Sequence, residues 1–215
     1  MSTNELNSVL KSIRRNLGRE AGSQLPPRPP ILSPRQVGSI ETELDLLVDE
    51  INKLAGNAKR ISSEAIGECL VDLIQTLEIK KALLWETDWL AELKLAGVLQ
   101  SMEVEIINPN QADKVALAQC DLGITEVDFA LPETGTIGLL SSPEKSRVVS
   151  LLPRVHLALV HPGALRPDLH QVFAQAKQKN YLILITGPSR TADIELTVTL
   201  GVHGPKFLYV WVCNP

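Results

Sequence analysis

The sequence predicts an α/β protein built on a mostly parallel sheet, with helices leading into it. From about residue 80 onward, short apolar runs alternate with amphipathic stretches. Two runs, "RVHLALV" (154–160) and "YLILI" (Tyr181–Ile185), are apolar on both faces, as in strands at the middle of a helix-covered sheet. Strand–helix–strand alternation implies right-handed crossovers between parallel neighbours.

The elements follow in order. Leu6, Val9, Leu10, Ile13 and Leu17 recur at helical spacing and Gly18 ends that helix. Residues 19–36 hold five of the fourteen prolines and read as an extended linker, because proline fixes its own dihedral and lacks a donor. Residues 1–36 are therefore expected to be a mobile arm on a domain spanning 37–215, with 37–79 as a helical lead-in. The lead-in holds two helices. One has Ile40, Leu44, Leu47, Val48, Ile51 and Leu54 on one stripe, capped by Ser39; the other, opened by Ser62 or Ser63, has Ile66, Leu70, Leu73, Ile74 and Leu77.

Beyond it, "KALLW" reads as a strand, "DWLAELKLAGVLQSM" as one helix and "VEIIN" as a strand. Asn110–Cys120 reads as a helix after Pro109. "GITEVDFAL" alternates as one half-buried strand, with "TGTIGLLSS" as its hairpin partner across "PET". A helix, "PDLHQVFAQAKQKN", joins the two apolar strands, and "FLYVWV" closes the sheet.

Composition narrows the function. The net charge of −4 and pI near 5.6 speak against a nucleic-acid binder. The arm carries a net +4 and the body −8. Cys69, Cys120 and Cys213 lie far apart with no ligand spacing, so no metal or iron–sulfur site is expected in this chain. The odd count without a framework fits a reducing compartment, and no window is apolar enough for a membrane span, so a cytoplasmic protein is expected. Walker, GxGxxG, HExxH and GxSxG motifs are absent from the sequence. His156 and His161 flank one strand and point to opposite faces, as capping or core residues; His170 reads as a helix-surface residue.

Three stretches carry the candidate chemistry. "PETGT" places Glu133, Thr134 and Thr136 at a hairpin tip around Gly135, where a carboxylate can act as a base; a plain β-turn is the structural alternative. "TGPSRTADIE" offers Gly187, Ser189, Arg190, Thr191, Asp193 and Glu195. It follows what reads as a central parallel strand, the end of a sheet where ligands bind, and it lacks the Glu or Gln spacing of a capping box. "GVHGP" sets His203 beside Gly204 in a tight turn that lets backbone approach a ligand.

In this order, "PETGT", "LPRVHLALV", "TGPSRTADIE" and "GVHGP" resemble the LUD-domain family, at its lactate-utilisation C-type branch. The resemblance covers about Gly123 to the end, with weaker likeness back to about Lys80. It implies a three-layer α/β fold of the glucosamine-6-phosphate deaminase, ribose-5-phosphate isomerase and CoA transferase type (NagB/RpiA-like). It also implies a role in oxidising L-lactate to pyruvate beside two iron–sulfur partners, LutA-like and LutB-like, which would hold the clusters. The resemblance carries no residue roles; from position and chemistry, Arg190 is expected to pair a small carboxylate, with Glu133 or His203 handling a proton and Asp193 and Glu195 orienting Arg190. The alternatives are a stand-alone protein acting on a sugar phosphate or acyl-CoA, and a scaffold without catalysis.

Overall fold

The computed structural model describes residues 3–18, 27, 36–177, 179–191 and 199–214. The chain divides into two units, Met1–Pro34 and Arg35–Pro215. In the first, helix α1 (Thr3–Asn16) follows the predicted apolar spacing, and Val9, Leu10, Ile13 and Leu17 on its stripe are exposed. The linker expected over 19–36 lies, apart from Pro27 and Gln36, outside the described residues.

The second unit opens with α2 (Ile40–Lys53), β1 (Asn57–Ser62), α3 (Ile66–Leu77) and β2 (Lys81–Leu84). Then come α4 (Asp88–Glu92), α5 (Leu95–Ser101), β3 (Glu105–Ile107), α6 (Lys114–Ala118) and β4 (Leu122–Glu126). Strand β5 (Phe129–Leu131), a 3-10 turn at Pro132–Thr134 and β6 (Thr136–Leu140) form a hairpin. The chain continues through α7 (Val148–Leu151), β7 (Val155–Val160), a 3-10 turn at Pro162–Ala164 and α8 (Leu169–Ala176). It ends with β8 (Leu182–Ile185), the short pair β9 (Arg190–Thr191) and β10 (Thr199–Leu200), and β11 (Phe207–Asn214). Among the described residues no helix is long and apolar enough to cross a membrane.

The main sheet has the order β1-β11-β7-β4-β2-β3 and every pairing in it is parallel. Helices cover both sides. All six residues of β7 are buried, as an apolar-on-both-faces strand requires at mid-sheet. Trp85 and Trp211 join the leucines and valines of the core with 1% and 2% of their surface exposed. The outer edge of β1 is closed by a side chain: the Asn52 amide accepts from Ala58 N (2.7 Å) and donates to Ala58 O (3.1 Å), occupying groups that would otherwise invite another strand. A second sheet, β5-β6-β8, is antiparallel, and Phe129 and Leu131 of it pack against Val172 and Ala176 of α8.

Several expectations change. "YLILI" is not a central parallel strand. Its residues 182–185 form β8, which pairs antiparallel with β6 alone, and Leu184 is 39% exposed. An apolar run states that a strand is covered, not which sheet it joins. "GITEVDFAL" breaks at Val127–Asp128. Val127 N still donates to Leu159 O in the main sheet, whereas Asp128 N donates to Gly138 O in the second. The single helix expected over "DWLAELKLAGVLQSM" divides into α4 and α5 at Lys94, whose φ is +55°. Helix 110–120 shrinks to α6, capped by Asp113, whose carboxylate accepts from Ala116 N at 2.8 Å. Ser62 ends β1 rather than opening α3, and Ala65 is the N-cap there. Strand β1 was not expected because only Ile61 of its six residues is buried, leaving little apolar signal.

Close backbone approach ties α7 to the sheet. A Cβ on Gly123 of β4 would lie 1.8 Å from Val149 O. Gly123→Ala is expected to destabilise by about 3 kcal/mol, a severe case of overpacking, which corresponds to a fall in Tm of roughly 6–12 °C for a chain of this size. Gly97→Ala in α5, where a Cβ meets nothing within 4 Å, is expected to hold or raise Tm. Thermal melts of the two variants check the pair.

Candidate functional site

The three stretches singled out in the sequence meet in space. The "PETGT" turn is pressed onto α2: Gly135 has φ +59°, and a Cβ there would lie 2.8 Å from the backbone of Glu50 and Ile51. From this turn a chain of hydroxyls runs inward. Thr134 Oγ1 donates to Thr136 Oγ1 at 2.8 Å, and Thr136 Oγ1 lies 2.8 Å from Thr186 Oγ1 just past β8. The next loop is held by backbone: Ser189 N donates to Pro205 O at 3.0 Å and Gly201 N to Ser189 O at 2.9 Å. "TGPSR" and "GVHGP" thus lie side by side, with Gly204 placed where a Cβ would sit 3.2 Å from Ser189 Cβ.

Between this pair of loops and the amino ends of β7 and β11 is a cavity of about 240 Å³. Thr186, Ser189, His203, His156 and Ser150 supply its polar groups, and apolar side chains such as Ile183 and Leu208 supply most of the remaining wall. His156 is the residue that sequence reasoning passed over as core or capping. It is fully buried in β7, its Nε2 lies 2.9 Å from Thr125 Oγ1, and its Nδ1 has no hydrogen-bond partner among the described residues. Buried polar atoms rarely stay unsatisfied, which sets this ring apart from the apolar residues around it. The sequence signal was a lone polar residue inside an otherwise apolar strand.

The other expected residues are placed as follows. Gly187, Ser189, His203 and Gly204 line the cavity, and Thr136 reaches it through Thr186. Arg190 does not line it. Its Nη2 donates to Leu54 O at the carboxyl end of α2, where a guanidinium meets the negative end of the helix dipole. Gly187, with φ +81°, permits that contact, since a Cβ there would lie 2.9 Å from the same carbonyl oxygen. Glu133 and Thr134 are exposed on the turn, Thr191 lies in β9, and Asp193 and Glu195 fall outside the described residues. Among the described residues no group of three His, Cys, Asp or Glu is arranged to hold a metal. The described lining includes no Lys or Arg, so the cavity offers hydroxyls, imidazoles and apolar surface rather than fixed positive charge.

Burial pushes the His156 pKa down from 6.5 to about 3, so the folded protein keeps this ring neutral at ordinary pH. The unfolded chain protonates it below about 6.5 while the folded chain resists until about 3. The stability it contributes is therefore present above 6.5 and lost as pH falls through that window, at about 1.4 kcal/mol per unit. Between pH 7 and pH 5, wild type is expected to lose roughly 2 kcal/mol more than His156→Gln. Urea unfolding at several pH values measures the difference, and parallel curves would contradict it.

Comparison with known proteins adds the family. The LUD-domain model matches residues 44–212. Lactate utilization protein C of Macrococcus caseolyticus is 30% identical over 95% of this chain and 94% of its own. Lactate utilization protein C of Halalkalibacterium halodurans is 28% identical over 75% of each chain. Among solved structures, a DUF162 family protein from Deinococcus radiodurans matches with a TM-score of 0.62 and 16% identity, over 83% of this chain and all of that one, which shows a shared fold. With the family model spanning most of the chain, the protein belongs to the LUD-domain family.

Proposed function

We propose that this protein serves L-lactate utilisation, as a component acting beside two iron–sulfur partners that oxidise lactate to pyruvate. The observation that carries this reading is the near full-length relationship to a protein named lactate utilization protein C, 30% identical over 95% of this chain. In this reading the partners' clusters carry the electrons. In this reading the chain contributes the cavity between "TGPSR" and "GVHGP", with Ser189 and His203 as the groups that hydrogen-bond a small guest and the buried ring of His156 behind them. His203 is the residue assigned to proton handling. Arg190, committed to Leu54 O, enters this role only by leaving the end of α2.

The test is genetic and then local. Deleting the gene from a strain with a single copy is expected to abolish growth on L-lactate and spare growth on glucose, with the wild-type gene restoring it. Normal lactate growth of the deletion strain sinks the reading. Complementation by a Ser189→Ala/His203→Ala double variant is expected to lower whole-cell lactate oxidation at least about tenfold, the loss of one to two hydrogen bonds to a guest. Full restoration by that variant would leave the chain as a scaffold in the same system.

A further inference from the structure

Strand order points to a second site, at the opposite end of the main sheet's strands from the cavity above. The chain runs from β2 outward to β3, then returns to place β4 on the other side of β2 and continues through β7 to β11. The order therefore reverses between β2 and β4. In open parallel sheets the crevice beyond the carboxyl ends at such a reversal is where ligands bind, because the two connections leave in opposite directions. Here those ends are Leu84 and Glu126.

The crevice is furnished with polar groups. Glu126, Asp128, His161 and Trp89 line a cavity of about 360 Å³ beside the ends of β4 and β7. Thr87, just past β2, donates its hydroxyl to Glu126 Oε2 at 2.9 Å. Lys145 pairs with Glu126 Oε1 and, at 2.8 Å, with Asp128 Oδ1, and its ammonium lies 5.3 Å from the centre of the Trp85 ring. Burial alone would lower the Lys145 pKa, but the hydrogen bonds its ammonium donates to Asp128 and Glu126 outweigh it and the net shift is upward, so the lysine stays charged.

The chemistry selects a ligand class. Two carboxylates against one ammonium leave the site with an uncompensated negative charge, which repels phosphate and carboxylate. Glu126 spends one oxygen on Thr87 and the other on Lys145; Asp128 spends one on Lys145 and the other on Leu140 N, at 2.8 Å. Each carboxylate offers about four lone-pair sites, so roughly half of the acceptor capacity remains for donors from a guest. On the far side, His161 Nδ1 accepts from Gly163 N at 3.0 Å. The proton of the neutral ring is thereby placed on Nε2, a donor. Hydroxyl groups both donate and accept, and the indole of Trp89, edge-to-face with His161 at 5.8 Å, gives carbon–hydrogen surface something to lie against. We propose that this crevice binds a small uncharged polyhydroxylated molecule, a polyol or a sugar without a phosphate, at a site separate from the cavity assigned to lactate utilisation.

The purified full chain is titrated with erythritol and D-xylose, each followed by tryptophan emission and calorimetry, with L-lactate and D-xylose 5-phosphate as charged counterparts. Saturable binding of at least one neutral probe is expected, with the charged counterparts at least about tenfold weaker from like-charge repulsion at short range. Thr87→Val removes a hydroxyl at constant shape, and His161→Asn keeps the acceptor for Gly163 N while removing the outer donor. Each is expected to weaken the neutral probe by roughly fivefold to twentyfold, with melting temperatures confirming the fold, while Ser189→Ala in the other cavity leaves it unchanged. The proposal is overturned by no saturation with either neutral probe, by equal or tighter binding of a charged counterpart, or by unchanged affinity in both variants. None of these outcomes depends on the lactate growth test.

Discussion

The rest of the structure depends on how backbone hydrogen bonds are handed from one sheet to the other at Val127–Asp128. Val127 N donates to Leu159 O in the parallel sheet, and one residue later Asp128 N donates to Gly138 O in the antiparallel one. A buried chain cannot leave a sheet with its amides unpaired, so this change of partner is the condition under which a second layer can start here. Asp128 reinforces it from its side chain, taking Leu140 N and Lys145. The consequence is double. Strand β4 ends at Glu126, Asp128 follows it, and both line the crevice, while the β5–β6 hairpin brings Thr136 to Thr186 at the other cavity.

Where the sequence was legible, the reason is burial. Strand β7 is covered on both faces and its six residues are all buried, so an apolar run of that length has few other places to go. Helix α2 combines an apolar stripe with Ser39 at its N-cap, two independent signals for the same start. Strand β8 carries the same kind of apolar run, but pairing direction is decided by the partner strand, a long-range fact that periodicity does not contain. Strand β1 lies at a sheet edge, with its exposed positions given to Asn57, Lys59 and Ser62, and so reads as a loop.

The same logic separates the two sites. The apolar run before "TGPSR" reads as a parallel strand in sequence, but β8 is antiparallel, and the rule about carboxyl ends points instead to β2, β4 and β7. What "TGPSR" keeps is its contact with "GVHGP", visible in the backbone bonds of Ser189. From sequence Arg190 reads as a fork for a small carboxylate, and its bond to Leu54 O was not legible because that carbonyl lies 136 residues away in sequence. The crevice residues were hidden for a different reason. Glu126 and Asp128 alternate with apolar neighbours and read as the solvent face of one strand, and only the break between β4 and β5 gathers them with Lys145.

Strand β7 connects the two places mechanically. His156 is its second residue and His161 follows its last, so at about 3.3 Å per residue their Cα atoms lie about 16 Å apart along a fully buried strand. They lie under different electrostatic regimes. His156 is kept neutral by burial and faces a cavity whose described lining holds no Lys or Arg, whereas His161 is exposed beside two carboxylates bridged by a lysine. A guest at either end meets side chains anchored on the same close-packed element, and such an interior does not deform continuously.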